Sequence, residues 1–220
     1  MIRLAITRTI TILVLLFAAI GSIAAGNAVT GKVAVDKVAA TSTALKSGVF
    51  DPPRMAPDFS LPSSLDNQFT LSQQRGKLLV LGFGFSHCPN VCPMTLANLA
   101  QTYKNLGALA DQVQVVYMTV DPERDTPARL REYLANFNSH FIGVTGSADE
   151  LAALRQSYGI IAKKEVHKNG GTYEVHHSSY IYLIDRDGLL RALVPFGKSA
   201  DDITHDIKIL LQEKTQQAAL

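Results

Sequence analysis

The two cysteines of this chain are the residues best suited to chemistry. Cys88 and Cys92 are the only cysteines among the 220 residues, and three residues separate them. Two thiols this close along a turn can form a disulfide or share a metal ion. A purely structural bridge normally closes a longer loop, because its stabilising effect grows with the number of residues enclosed. We therefore expect either a metal-binding pair or a redox-active pair.

The cysteines lie where a buried strand is predicted to meet a helix. An apolar run at 77–84 predicts a central strand, and apolar residues recur at helical spacing over 92–108. Pro93 suits the first helical turn, where no amide donor is needed. Cys92 should then lie at the helix N-terminus, where unpaired amides and the helix dipole favour thiolates, with Cys88 in the turn before it. The three-residue spacing differs from the two-residue spacing of a thioredoxin-type redox pair.

Histidines are the candidate third ligands. His177 directly precedes a predicted strand at 178–184, and in a thioredoxin-like fold the chain leading into that strand lies beside the dithiol turn. Two thiolates and one imidazole suit copper, above all Cu(I). Zinc prefers four ligands, so a zinc site would also need His176 or His87. Both histidines stay open as additional ligands.

The order of predicted elements gives the fold class. Strands that alternate with helices imply a parallel core, and the turn 185–188 implies a late antiparallel hairpin. We therefore predict an α/β fold with a thioredoxin-like mixed central sheet flanked by helices and an extra N-terminal β-hairpin. Besides the elements around the cysteines, the predicted segments are the hairpin strands 58–61 and 68–71, strands 113–120 and 141–144, helices 126–137 and 147–158, the late hairpin 178–184 and 189–194, and a last helix at 199–212.

The N-terminal region predicts export. Arg3 and Arg8 precede an apolar run at 10–25, and small residues follow it. This pattern is typical of a secretory signal peptide, and the run is also nearly long enough for an uncleaved membrane anchor. Because the arginines favour the cytoplasmic side, the rest of the chain should be exported. We expect the bacterial periplasm, with tethering to the inner membrane through this segment.

These patterns predict a chain of four parts. Residues 1–26 are the signal peptide or anchor, 27–56 a linker, 57–214 the thioredoxin-like copper-binding domain, and 215–220 a C-terminal tail. The formal net charge of +2 is nearly balanced, and no cluster of Lys and Arg is present, so we expect no nucleic-acid partner.

An acidic motif follows the predicted strand 113–120. Asp121 and Asp125 lie in the run Asp-Pro-Glu-Arg-Asp-Thr-Pro, at a strand end where ligand sites of parallel sheets gather. The alternative is a structural role, with Asp125 or Thr126 capping the helix that follows.

Four motifs occur in order along residues 57–211. They are Pro57-Asp58-Phe59, Cys88-Pro-Asn-Val-Cys92-Pro, Val120-Asp-Pro-Glu-Arg-Asp-Thr-Pro127, and His177-Ser178-Ser179 before Tyr182-Leu183-Ile184-Asp185. Together they resemble the Sco/SenC family. That resemblance implies a thioredoxin fold, a tether of one N-terminal membrane segment, and copper delivery to the binuclear copper centre of cytochrome c oxidase.

Carried over residue by residue, Cys88, Cys92 and His177 match the family's ligands for one copper ion, Cu(I) or Cu(II). Asp121 and Asp125 match its acidic loop. The chain departs from the family at two positions, with His176 where Asp is frequent and Ser86 where Thr is frequent. The second histidine leaves open which imidazole binds.

The resemblance favours a copper metallochaperone whose partner is the copper-site subunit of cytochrome c oxidase. Other copper carriers and thiol reductases are further candidate partners. The alternative function is a thiol-disulfide oxidoreductase that acts on oxidase cysteines through Cys88 and Cys92. A third hypothesis is a copper or redox sensor.

Overall fold

The computed structural model describes residues 44–166 and 173–213. The predictions for 1–26 and 215–220, and for the first part of the linker, lie outside the described residues. Within the described ranges, no helix combines the length and the apolar character needed to cross a membrane. The elements in chain order are β1 (Gly48–Met55), β2 (Ser60–Pro62), β3 (Gln68–Thr70), β4 (Leu78–Gly84), α1 (Val91–Leu106), β5 (Val113–Thr119), α2 (Pro127–Ala135), β6 (Ile142–Val144), α3 (Ala148–Tyr158), β7 (Ala162–Val166), β8 (Tyr173–His177), β9 (Tyr180–Ile184), β10 (Leu189–Pro195) and α4 (Ala200–Gln212).

A six-stranded mixed sheet forms the centre of the molecule, in the order β1-β10-β9-β4-β5-β6. The strands β4, β5 and β6 run parallel, whereas β9, β10 and β1 add antiparallel pairings. The small hairpin β2–β3 is separate from this sheet. The predicted parallel core, late hairpin and N-terminal hairpin are all confirmed.

The strand β4 is central because both of its neighbours are buried strands. It pairs with β5 on one side and β9 on the other, and all seven of its residues are buried. Burial on both faces is the reason for its continuous apolar sequence. Helix α1 follows β4 and packs against α4. The junction between β4 and α1 is therefore fixed by a buried strand before it and a packed helix after it.

The prediction that residues 27–56 form a linker is wrong for its last residues. Residues 48–55 form the edge strand β1, which pairs with β10. Its side chains are mostly exposed, and Pro52 and Pro53 are tolerated because an edge strand needs hydrogen-bond donors on one side only. The backbone amides of Lys46 and Ser47 also bind Asp206. The folded domain therefore begins before residue 57.

A second hairpin, β7–β8, was not predicted. It forms a two-stranded sheet of its own, and its residues are exposed or half-buried. Such strands need no apolar face, so the polar run Lys163-Lys164-Glu165 gave no strand signal. His177 is the last residue of β8, not a loop residue as predicted.

Candidate metal centre

The start of α1 places the two cysteines as the sequence predicted. Helix α1 begins at Val91, which puts Cys92 in its first turn and Cys88 in the preceding turn. Both thiols are free; Cys92 is buried, with 3% of its surface exposed, and Cys88 is half-buried. The backbone N–H of Cys92 donates to Cys88 Sγ, with the two atoms 3.5 Å apart. The sulfur of Cys88 thus accepts from one of the amides that a helix start leaves unpaired.

His177 reaches the buried sulfur from β8. Its Nε2 atom lies 3.6 Å from Cys92 Sγ, and its Nδ1 atom lies 2.9 Å from the carbonyl oxygen of Ser178. A carbonyl can only accept, so Nδ1 carries the proton and the lone pair of Nε2 faces the sulfur. The imidazole also packs nearly perpendicular to the ring of Phe85, with ring centroids 5.9 Å apart. This tautomer leaves Nε2 free to bind a metal.

The separation of these two atoms fits a shared metal ion. With zinc as a guide, bonds of about 2.3 Å to sulfur and about 2.0 Å to nitrogen at a tetrahedral angle put the two ligand atoms roughly 3.5 Å apart. Within residues 44–166 and 173–213, however, no three His, Cys, Asp or Glu side chains are already gathered as a metal site. Cys92 and His177 are paired, and the side chain of Cys88 contacts the amide of Cys92.

The other two candidate histidines, His87 and His176, line the same surface cavity as Cys88 and His177, but other groups bind their imidazoles. Successive side chains of a strand point to opposite faces, so His176 faces away from its neighbour His177. Its Nε2 atom lies 3.4 Å from Glu165 and 3.9 Å from Glu174. His87 is exposed, and its Nδ1 atom lies 3.1 Å from Ser86 Oγ. Neither imidazole contacts a cysteine sulfur in the described structure.

Burial controls the charge of the site. It raises the pKa of the Cys92 thiol to about 12, against smaller opposing effects of the Tyr117 hydroxyl and the Phe85 backbone. Burial also lowers the pKa of His177, which the Ser178 carbonyl partly offsets. At neutral pH the metal-free protein therefore holds a protonated Cys92 and a neutral His177. The imidazole can bind a metal at once, whereas the thiol must first lose its proton.

Tyr117 is a site residue that sequence reasoning missed. Its buried hydroxyl donates to the carbonyl oxygen of Phe85 at 3.4 Å and lies close enough to the sulfur of Cys92 to oppose part of the rise in its pKa; the residue belongs to β5, beside β4. Gly84 leaves the space for this contact: a Cβ there would lie 2.9 Å from Cys92 Sγ and would overlap the Tyr117 hydroxyl. The glycine within the apolar strand was the available signal, because a strand glycine often marks a close approach.

The acidic motif braces the cysteine turn. Asp125 is fully buried and accepts hydrogen bonds from the Ser86 amide at 3.0 Å, the Ser86 hydroxyl at 2.6 Å and the Thr119 hydroxyl at 2.6 Å. Thr126, not Asp125, caps α2, since its hydroxyl accepts from the amide of Arg129. Of the two capping residues considered, Thr126 caps α2, whereas Asp125 hydrogen-bonds the turn that carries Cys88.

The site opens into a surface cavity of about 510 Å³ between the cysteine turn and β8. Cys88 and His177 both line it, together with Tyr173 and Val175. A ligand side chain from another protein can therefore approach the sulfur of Cys88 and the imidazole directly from solvent.

Comparison with known proteins decides the family. The model of the SCO1/SenC family matches residues 49–212. The chain belongs to the SCO1/SenC family. Among relatives of this SCO1/SenC protein, the bovine (Bos taurus) mitochondrial SCO2 homolog is 36% identical over 153 residues, which are 69% of this chain and 58% of that protein. The chain thus spans about three fifths of the length of the bovine and mouse SCO2 proteins it matches. Relatives occur in mitochondria and in bacteria such as Rickettsia felis.

Solved structures confirm the thioredoxin-like fold. Copper-bound ScoI of Bradyrhizobium japonicum superposes with a TM-score of 0.66 at 34% identity, covering 71% of this chain and 99% of that one. BsSco superposes with a TM-score of 0.61 at 26% identity, covering 76% of this chain and 99% of that one. BsSco is described as a member of the Sco family of cytochrome c oxidase assembly proteins and as having a disulfide switch.

Proposed function

We propose that this SCO1/SenC protein is a copper metallochaperone that delivers one copper ion to the binuclear copper centre of cytochrome c oxidase during its assembly. Copper is its cargo, held by Cys88, Cys92 and His177. The supporting observation is the lone pair of His177 Nε2, which faces Cys92 Sγ at 3.6 Å. Copper-bound ScoI and the oxidase assembly role of BsSco support the choice of metal and acceptor.

Loading begins with the loss of two protons. The thiols of Cys88 and Cys92 each release one proton as copper binds, and the neutral imidazole of His177 completes the site. Two soft thiolates with one imidazole favour Cu(I), and they also accommodate Cu(II). At Cys92 burial outweighs the partial positive charge of the helix N-terminus and keeps the pKa of the thiol raised, so the metal itself must displace this proton.

Release follows from the exposure of the site. Ligands of the copper-site subunit enter the cavity and replace Cys88, Cys92 and His177 one after another. Thiol-disulfide exchange with a disulfide of another protein would oxidise Cys88 and Cys92 to a disulfide and, with uptake of two protons, reduce that protein's disulfide to a dithiol; both sulfur ligands would then be lost and the ion freed. The N-terminal segment 1–26, as signal peptide or anchor, would set this exchange in the periplasm at the inner membrane, where the oxidase subunit is reached.

Substitution of His177 tests whether this residue is a copper ligand. We expect His177→Ala to weaken copper binding about 10-fold to 100-fold with an unchanged fold, because one of three ligands is lost. His176→Ala is the matched control, since the neighbouring imidazole faces Glu165, and it should bind copper like the wild type. Competition titration with a Cu(I) chelator measures both. Equal affinities of the wild type and His177→Ala would contradict the proposal.

The second candidate is a thiol-disulfide oxidoreductase that acts on oxidase cysteines. It is favoured by the half-buried Cys88 beside the buried Cys92 and by the disulfide switch of BsSco. The Cys88 thiolate attacks a target disulfide, one target thiolate leaves and takes a proton, and Cys92 then attacks the mixed disulfide. The target ends as a dithiol, and Cys88 and Cys92 end as a disulfide.

Turnover without metal separates the two candidates. An oxidoreductase reduces a disulfide peptide in chelator-treated buffer and keeps this activity in His177→Ala. A metallochaperone transfers copper to an apo oxidase copper domain and loses that activity in the same variant. The residue that discriminates is His177, because the thiol exchange uses only the two sulfurs.

A further inference from the structure

The hairpin that carries His177 has little support of its own. Its strands β7 and β8 pair with each other and with no other strand of the described residues. A two-stranded hairpin in water is marginally stable, so its position depends on side-chain contacts. The orientation of His177 therefore depends on whatever fastens β8 to the domain.

Tyr173, at the other end of β8, makes the strongest of these contacts. Its hydroxyl donates to Asp121 Oδ1 at 2.6 Å. The guanidinium of Arg124 lies 3.9 Å from the centroid of its ring, and Lys164 Nζ lies 3.8 Å from the same centroid. Both cations are within the range of cation–π attraction. The tyrosine thus joins the hairpin to the loop after β5.

Arg124 links this contact to the metal centre. Its Nε atom donates to Asp121 at 2.5 Å, and its Nη1 atom lies 3.4 Å from the carbonyl oxygen of Tyr173. The guanidinium also lies 5.7 Å from the ring centroid of Phe85, the aromatic residue that packs on His177. Arg124 therefore contacts both the hairpin, at Tyr173, and Phe85, the ring that packs on His177.

An ion pair between Lys164 and Glu123 also joins the hairpin to the loop after β5. Lys164 of β7 binds Glu123 with its Nζ atom 2.8 Å and 2.6 Å from the two carboxylate oxygens. Glu123 lies between Asp121 and Arg124 in the same loop. Asp121, Glu123 and Arg124 of the acidic motif thus bind the hairpin, while Asp125 binds the cysteine turn. The motif connects the two halves of the metal centre.

We infer that Asp121, Arg124 and Tyr173 form a latch that holds His177 at the copper site and so sets how fast copper is released. These three are positioning residues, which act through His177 and do not touch the metal. The inference rests on the proposed copper site of Cys88, Cys92 and His177. With the latch closed, the imidazole stays beside Cys92; with the latch broken, the hairpin leaves and copper is held by sulfur alone.

Copper release from the purified, copper-loaded protein tests the latch. Transfer of Cu(I) to an excess of chelator should be about 10-fold faster in Arg124→Gln, as expected for partners that orient a metal ligand. Tyr173→Phe keeps the ring and loses only the hydrogen bond to Asp121, so a smaller acceleration is expected. Lys163→Gln removes a positive charge from an exposed position of the same hairpin and should release copper at the wild-type rate.

The double variant Arg124→Gln/His177→Ala shows whether the latch acts through the imidazole. Arg124→Gln should add no acceleration once His177 is absent. An equal acceleration in both backgrounds would overturn the latch, because the arginine would then act on the sulfurs. Wild-type release by both Arg124→Gln and Tyr173→Phe, with fast release by His177→Ala, would overturn the latch and leave the copper site standing. Wild-type release by His177→Ala and Cys92→Ser would instead refute the copper site itself.

Discussion

At the scale of single residues, the two cysteines differ although the same turn holds them. Cys92 is buried between His177 and Tyr117, and burial raises the pKa of its thiol to about 12. Cys88 is half-buried and borders the open cavity. An incoming metal or thiol reagent therefore meets Cys88 first, and Cys92 reacts only when its proton is displaced. This order suits both candidate functions.

The raised pKa of Cys92 predicts a loss of stability at alkaline pH. The ordinary pKa is 9.0, so below that value the thiol is protonated in both the folded and the unfolded chain. Between pH 9.0 and about 12 only the unfolded chain releases this proton, which favours unfolding by up to about 1.4 kcal/mol per pH unit. Urea denaturation of metal-free, reduced protein at successive pH values should show a weaker dependence in Cys92→Ser. Identical slopes in the two proteins would contradict the burial of the thiol.

Gly84 predicts a packing defect at the same sulfur. In Gly84→Ala the added methyl group would collide with the Tyr117 hydroxyl and lie 2.9 Å from Cys92 Sγ. We expect a loss of about 1–3 kcal/mol in the free energy of unfolding, as for other overpacked cores, and weaker copper binding. Gly82→Ala in the same strand is the control, because the nearest atom to its Cβ is 3.9 Å away. Denaturant unfolding and copper titration of both variants measure the difference.

At the scale of elements, strand geometry separates the two adjacent candidate ligands. His176 and His177 are adjacent in sequence, but alternation along β8 sends one imidazole toward glutamates and the other toward Cys92. Helix α1 contributes Cys92 through its first turn, the turn before the helix contributes Cys88, and the edge strand β1 closes the sheet on the far side. The beginning of β1 is held by α4 through Asp206.

We expect Asp206 of α4 to anchor the residues that lead into β1. Its carboxylate is fully buried and accepts from the amides of Lys46 at 2.7 Å and Ser47 at 3.0 Å. Asp206→Ala leaves two amides without their acceptor, so we expect a loss of about 1–3 kcal/mol in the free energy of unfolding. Asp202→Ala removes the exposed ion pair with Lys46 and a side-chain contact with Ser199, and should cost less stability because the carboxylate is not buried. Similar losses in both variants, measured in urea, would argue against this anchoring role.

At the scale of the whole molecule, the sheet topology assembles a site from distant segments. The parallel strands β4 and β5 deliver the cysteine turn and the acidic motif to the same edge, as parallel strands do at their carboxyl ends. The antiparallel strand β9 pairs with β4 and brings the end of β8 beside them. Residues separated by 85 positions, Cys92 and His177, meet in this way.

Such a site predicts that copper stabilises the fold. A ligand bound only by the folded chain adds about 2.7 kcal/mol when its free concentration is 100 times its dissociation constant. The melting temperature of the reduced protein should therefore rise with Cu(I) concentration. His177→Ala keeps both thiols, so a smaller rise in this variant isolates the contribution that needs the folded site. Equal rises in both proteins would place copper on the thiols without the histidine.

The amino-acid sequence by itself determined the central strands β4 and β5, the four helices, the late hairpin and the position of the dithiol at a helix start. These features depend on local apolar periodicity, on caps and on turn residues, all of which can be read within a few positions. The tertiary structure decided the rest: the edge strand β1, the hairpin β7–β8, the approach of His177 rather than His176 to Cys92, and the position of the Tyr117 hydroxyl beside the same sulfur. Exposed strands carry no apolar pattern, and contacts between residues far apart in the chain exist only once the sheet brings them together.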